Sequence, residues 1–180
     1  APNSARRSLG LVDAPTLLFV GRIQEFKGLD VAIDALGLST NNNVRLVVVG
    51  GLSGDRGTET YRDIRRRIER HALEERVLFV DPQPHQLLPT YYQAADVCLV
   101  PSRSESFGLV ALEAAACGVP VIASNVGGLR DNVVDGVTGL LVNERDPAKF
   151  AAAIDNLLER PELRRFMGRR GVERASLNSW

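Results

Sequence analysis

Two carboxylates frame the run Pro101-Ser102-Arg103-Ser104-Glu105-Ser106-Phe107-Gly108-Leu109-Val110-Ala111-Leu112-Glu113. A carboxylate accepts paired hydrogen bonds from neighbouring hydroxyls, as on a sugar ring or a ribose. Glu105 in a loop and Glu113 a turn into a helix would hold two polyols at different depths. Read alone, Glu105 is equally a first-turn charge matching a helix dipole, and Glu113 a solvated helix residue. Their surroundings weigh against that. Leu109, Val110, Leu112, Ala114, Ala115, Ala116 and Cys117 make the helix apolar nearly all round. Such a helix is buried, and a buried carboxylate needs a partner.

A second chemical run is Gly21-Arg22-Ile23-Gln24-Glu25-Phe26-Lys27-Gly28. Its glycines let the backbone turn sharply. Arg22 suits a bidentate grip on phosphate, and Lys27 acts as a point charge. Taken alone the two are equally solvated surface cations. No Ser or Thr follows the Lys in a Gly-Lys pair, so this is not a nucleotide P-loop, nor is it the dinucleotide fingerprint. Gly127-Gly128 reads either as a close backbone approach to a ligand or as a plain turn. His85 ends the stiff stretch Asp81-Pro82-Gln83-Pro84-His85. It could flank a flat base, although a lone His is more often structural or solvent-facing.

The flanking segments must position these groups. Val97 to Val100 reads as a buried strand and Leu109 to Cys117 as a helix, so Pro101 to Gly108 joins strand to helix. Ser104 and Ser106 are expected to cap that helix. The free N–H groups of Phe107, Gly108 and Leu109 would then face an anion or a polar oxygen. Further strands are expected at Thr16 to Val20, Val44 to Val49, Arg76 to Val80, Val119 to Ala123 and Gly139 to Val142. Helices fall between them: Leu29 to Leu36, Glu59 to His71, Gln86 to Ala95 and Leu129 to Val134. Two more follow, from Asp146-Pro147 to Leu158 and from Pro161 to near Ala175. Gly50 to Gly57 reads as a flexible loop. This alternation predicts an α/β fold with a mostly parallel six-stranded sheet and helices on both faces. Ligand loops lie at the carboxyl ends of such strands. The strand before Gly21 is expected near the strand before Glu105, so that both loops open on one crevice. Residues 1–15 read as a linker or docking arm and residues 16–180 as one domain.

Composition narrows the partners. The 180 residues carry a formal net charge of zero, which argues against nucleic acid or an acidic membrane as partner. Cys98 and Cys117 fit no metal or redox spacing and read as buried free thiols, which suits a reducing cytosol. No apolar run reaches membrane-spanning length, and residues 1–11 lack the apolar core of a signal peptide.

Together, Gly21-Arg22…Lys27-Gly28, Pro101-Ser102…Glu105-Ser106-Phe107-Gly108…Glu113-Ala114, Cys117-Gly118-Val119-Pro120-Val121 and Gly127-Gly128…Asp135-Gly136…Gly139 form an ordered set. The set resembles the C-terminal half of retaining glycosyltransferases of the GT-B fold, the family-4 group. That group includes sucrose-phosphate synthases, bacterial mannosyltransferases and inositol-phosphate N-acetylglucosaminyltransferases. The resemblance runs from Thr16 to Trp180. It implies a Rossmann-like three-layer α/β/α domain that binds a nucleotide sugar, with UDP or GDP as carrier. It matches Arg22 and Lys27, after Gly21, to the basic pair on the donor diphosphate. It matches Glu105, beside Ser106, to the acid holding the sugar hydroxyls, and the Phe107, Gly108 and Leu109 amides to contacts with sugar and phosphate. Glu113 matches the acid on the ribose, and the loop to His85 the flank of the base. The chain departs from the family pattern at Leu129-Arg130-Asp131, where an apolar residue, Pro and Glu are common.

The implied reaction is hexosyl transfer with retention at the anomeric carbon. Arg22, Lys27 and the helix start are aimed at the charge left on the diphosphate. No Asp-x-Asp pair occurs, and two fixed cations make a metal dispensable, so no cofactor is expected. The thiols point to a cytoplasmic protein, and the resemblance implies an enzyme whose N-terminal acceptor domain is missing here, leaving this half nearly inactive alone. The alternatives are an epimerase or phosphorylase on the same fold, or a non-catalytic nucleotide-binding module. A glycosidase fits poorly, because its two carboxyls must flank one anomeric carbon.

Overall fold

The computed structural model describes residues 2–51 and 58–177. Six short apolar runs form strands: β1 (Thr16–Val20), β2 (Arg45–Val49), β3 (Val77–Val80), β4 (Val97–Val100), β5 (Val121–Ser124) and β6 (Gly139–Val142). All adjacent pairs are parallel, in the order β3-β2-β1-β4-β5-β6. The expected mostly parallel sheet is therefore wholly parallel, and the order reverses between β1 and β4. That is the switch point at which open α/β sheets form a crevice.

Strand side chains alternate between faces, and each face has its own core. Leu17, Phe19, Leu46, Val48, Val97, Leu99 and Ile122 point to one side. There they meet α2 (Leu29–Leu38), α3 (Glu59–Arg70) and α7 (Pro147–Leu158). Leu18, Val47, Val49, Cys98, Val100, Val121 and Ala123 point to the other. Those meet α4 (Leu88–Ala94), α5 (Leu109–Ala116) and α6 (Leu129–Asn132). The last helix, α8 (Pro161–Leu177), touches both α5 and α7 and so bridges the two layers. Gly168 permits this approach, since a Cβ there would lie 2.3 Å from the Gly118 carbonyl oxygen.

The N-terminal stretch, expected as a linker or docking arm, carries a helix of its own. Pro2–Leu9 form a helix, α1, that packs on α4. Its anchor is Arg6, only 6% exposed. The Arg6 guanidinium donates to Asp96 Oδ2 at 2.5 Å and to the Ala94 carbonyl at 3.0 Å. The same Asp96 oxygen accepts the Thr16 amide at 2.8 Å, so α1, β1 and the start of β4 share one carboxylate. The segment looks polar in sequence because a single arginine, rather than an apolar stripe, secures it. Of the expected glycine loop after β2, residues 52–57 lie outside the described residues, as do Ser179 and Trp180.

Candidate active site

The β1–α2 and β4–α5 connections meet at the switch point. After β1 the chain makes a tight 3₁₀ turn, Glu25–Lys27, and enters α2 through Gly28 at φ 80°. A Cβ on Gly28 would sit 1.9 Å from the Pro101 carbonyl oxygen, so only glycine lets the loops approach this closely. The Arg103 amide donates to the Phe26 carbonyl at 2.8 Å, and Arg103 Nη1 pairs with Glu25 Oε1 at 3.2 Å. These contacts bring Lys27 Nζ to 3.5 Å from Glu105 Oε2, with side chains 27% and 18% exposed. The cation expected on phosphate and the acid expected on sugar hydroxyls thus form one ion pair. Arg22 is exposed on the same loop, after Gly21.

The Glu105 loop is held from its other side by the glycine pair. The Gly128 amide donates to the Glu105 carbonyl at 2.8 Å. A Cβ on Gly127 would lie 2.1 Å from that same oxygen, and one on Gly128 2.6 Å from the Ser106 carbonyl. The pair thus forms a turn, as one reading expects, and brings that turn against the Glu105 loop. Asn132, at the end of α6, donates from Nδ2 to the Phe107 carbonyl at 2.5 Å and to the Gly108 carbonyl at 3.2 Å. No sequence signal marked Asn132, because its role exists only once α6 lies against the start of α5.

The expected serine caps are corrected. Gly108 is the N-cap residue of α5, at φ 65°, and no side-chain cap bond is made. The left-handed glycine turns the chain straight into the helix, leaving Ser104 and Ser106 exposed upstream. The opening amides of α5 have no earlier helical carbonyl to bind. Phe107, just before α5, is 72% exposed.

Glu113 is half-buried on α5 and accepts a 3.1 Å hydrogen bond from the Tyr92 hydroxyl of α4. This is the partner its apolar helix required. Burial, and then the neighbouring Cys98 and Glu113, push the Tyr92 hydroxyl far above its ordinary pKa, so it stays a donor. Cys98 is buried and free. Cys117, expected buried, is free but only partly so, because it ends α5. Burial raises the pKa of both thiols. His85 is exposed in a 3₁₀ turn after β3, at the sheet edge and apart from the Lys27–Glu105 pair.

Fold and site together define a Rossmann-like α/β domain that pairs a cation with a carboxylate between two loops at the switch point and carries a second carboxylate about one turn into the following helix. The family described as Glycosyl transferases group 1 matches residues 3–174, and the chain belongs to that family. It is 48% identical to a D-inositol 3-phosphate glycosyltransferase of Acidothermus cellulolyticus over 98% of this chain and 40% of that protein. Among solved structures it resembles sucrose-phosphate synthase from Thermosynechococcus elongatus, with TM-score 0.90 and 41% identity over 97% of this chain and 44% of that one. Anabaena Alr3699/HepE in complex with UDP-glucose gives TM-score 0.89 and 28% identity over 98% and 48% of the respective chains. The chain therefore spans less than half the length of these proteins. The Rossmann-like half of a GT-B fold implied by the sequence is the fold observed. No helix among the described residues is long and apolar enough to cross a membrane.

Proposed function

We propose that this chain is the donor-binding half of a retaining glycosyltransferase, one that moves a hexose from a nucleoside-diphosphate sugar to an acceptor hydroxyl without a metal ion. The observation that carries the reading is the Lys27–Glu105 contact across two loops at the switch point. Cleavage of the sugar–phosphate bond leaves charge on the diphosphate. Lys27, Arg22 and the opening amides of α5 are the donors that offset it in a crevice partly shielded from water. Glu105, beside Lys27, takes the hydroxyls of the sugar being moved. Glu113 takes the ribose hydroxyls. The UDP-glucose bound to the Anabaena neighbour supports a uridine carrier. The names of the curated relatives support an inositol phosphate as acceptor. The acceptor-binding portion belongs to the part of such enzymes that this chain does not span. Retention follows the family resemblance, and the anomer of the product, read by NMR, checks it. The free thiols fit a cytoplasmic setting, which cell fractionation tests.

The deciding experiment is calorimetric titration with UDP, GDP and ADP in the absence of metal, alongside an Arg22→Ala/Lys27→Ala variant. One nucleotide is expected to bind, and the variant to bind it at least ~10-fold more weakly, as loss of charge-assisted phosphate contacts requires. Absence of binding at millimolar nucleotide, both by this chain and by a protein that also carries the acceptor half, overturns the reading.

A further inference from the structure

Tyr92 sits in the second core beside Leu18, Cys98, Val100, Ala111 and Ala114, with 1% of its surface exposed. A phenylalanine would fill the same space with no hydroxyl to satisfy. The hydroxyl is instead spent on Glu113 Oε2 at 3.1 Å. The two residues occupy matching places. Tyr92 is the fifth residue of α4 and Glu113 the fifth of α5. Their hydrogen bond sets tyrosine and carboxylate at one level, each about 6 Å from the start of its helix at 1.5 Å per residue.

A hydroxyl donated to one oxygen leaves the rest of the carboxylate's acceptor sites open, since an ionised carboxyl offers about four. It also restricts the side chain to one rotamer, removing freedom that a ligand would otherwise have to freeze. We propose that Tyr92 is a positioning residue. Its hydroxyl orients Glu113 so that the free carboxylate oxygen faces the vicinal 2′- and 3′-hydroxyls of the ribose. Tyr92 does not touch the nucleotide itself. The inference rests on the donor-site reading above, and specifically on Glu113 as the ribose acid.

The test compares UDP with 2′,3′-dideoxy-UDP, which lacks both hydroxyls, by calorimetry on the unmutated chain, Tyr92→Phe, Glu113→Ala and the double variant. Tyr92→Phe is expected to weaken UDP about 5-fold, the scale of one hydrogen bond, and to leave the dideoxy analogue unchanged. Adding it to Glu113→Ala is expected to change neither. Equal weakening of both ligands by Tyr92→Phe would mean that the tyrosine only supports the core, and would overturn the proposal while leaving the donor site intact. Unchanged UDP affinity in Tyr92→Phe overturns it in the same way. An unmutated chain that binds both ligands equally shows that Glu113 holds no ribose, and the donor-site assignment fails with the proposal. Thermal unfolding of Tyr92→Phe, and the same titrations on Tyr92→Leu, separate lost orientation from lost packing. If positioning is the role, the leucine variant shows the same ribose-dependent loss.

Discussion

Lys27 has two claims on its ammonium group: the Glu105 carboxylate it contacts in the free protein and the diphosphate it would meet in the bound one. That competition gives a signed prediction. In Glu105→Gln the amide keeps the shape and a carbonyl acceptor but loses the charge, so Lys27 is released to phosphate. UDP is expected to bind about 3-fold more tightly, the scale of a partly exposed ion pair. UDP-glucose is expected to lose that gain, and transfer by a protein carrying the acceptor half to fall by roughly 10²-fold, as when one electrostatic group is removed from a preorganised site. Calorimetry with the two ligands and a kcat measurement check the pattern, and opposite signs for UDP and UDP-glucose are its signature. Weaker UDP binding would mean that Glu105 helps to hold the nucleotide. Most of this site is legible in the residue string, since the types and order of Arg22, Lys27, Glu105 and Glu113 suffice to propose hydroxyl and phosphate recognition. The partners are not. Tyr92 and Asn132 belong to other helices, and no local periodicity reports a hydrogen bond between elements.

At the scale of elements, three loops are locked together by glycines. Gly28 lets the first loop pass the Pro101 carbonyl, and Gly127 and Gly128 let the third pass the Glu105 and Ser106 carbonyls. Gly127 also has φ 47°, a left-handed conformation that costs an ordinary residue energy. Gly127→Ala therefore meets both a steric and a conformational penalty. It is expected to destabilise the chain by about 2 kcal/mol and, because the displaced backbone is that of Glu105, to weaken UDP-glucose more than UDP. Chemical denaturation and paired titrations check both halves of this expectation. Gly136→Ala is the contrast. It shares a positive φ, 78°, but a Cβ there meets nothing within 4 Å, so it should show the conformational cost without the change in sugar binding. The serine caps expected on α5 failed for a related reason. A glycine able to adopt the left-handed conformation stood closer to the helix start than either serine, and it made the turn.

For the molecule as a whole, α1 is tied to the sheet by one buried arginine. Removing one partner of a buried ion pair leaves the other without compensation and costs about 3–5 kcal/mol. Arg6→Ala strands Asp96, which also holds the Thr16 amide at the start of β1. The melting temperature is expected to fall by about 6–20 °C, since ~1 kcal/mol shifts a domain of this size by roughly 2–4 °C. Calorimetric unfolding checks it, and a change under about 2 °C would show that α1 contributes little. Periodicity by itself predicted the alternating α/β order, a mostly parallel sheet and the strand-to-helix loops, because these depend on local patterns of apolar residues, while the family resemblance rested on the ordered set of short motifs. The tertiary structure alone decided the full strand order, that Lys27 contacts Glu105, that the glycine pair packs its turn against the Glu105 loop, that Tyr92 supplies the partner Glu113 needs, and that residues 2–9 are helix. Each of these depends on contacts between segments distant in the chain, and a residue's type and local spacing carry no record of the partner that the fold will bring to it.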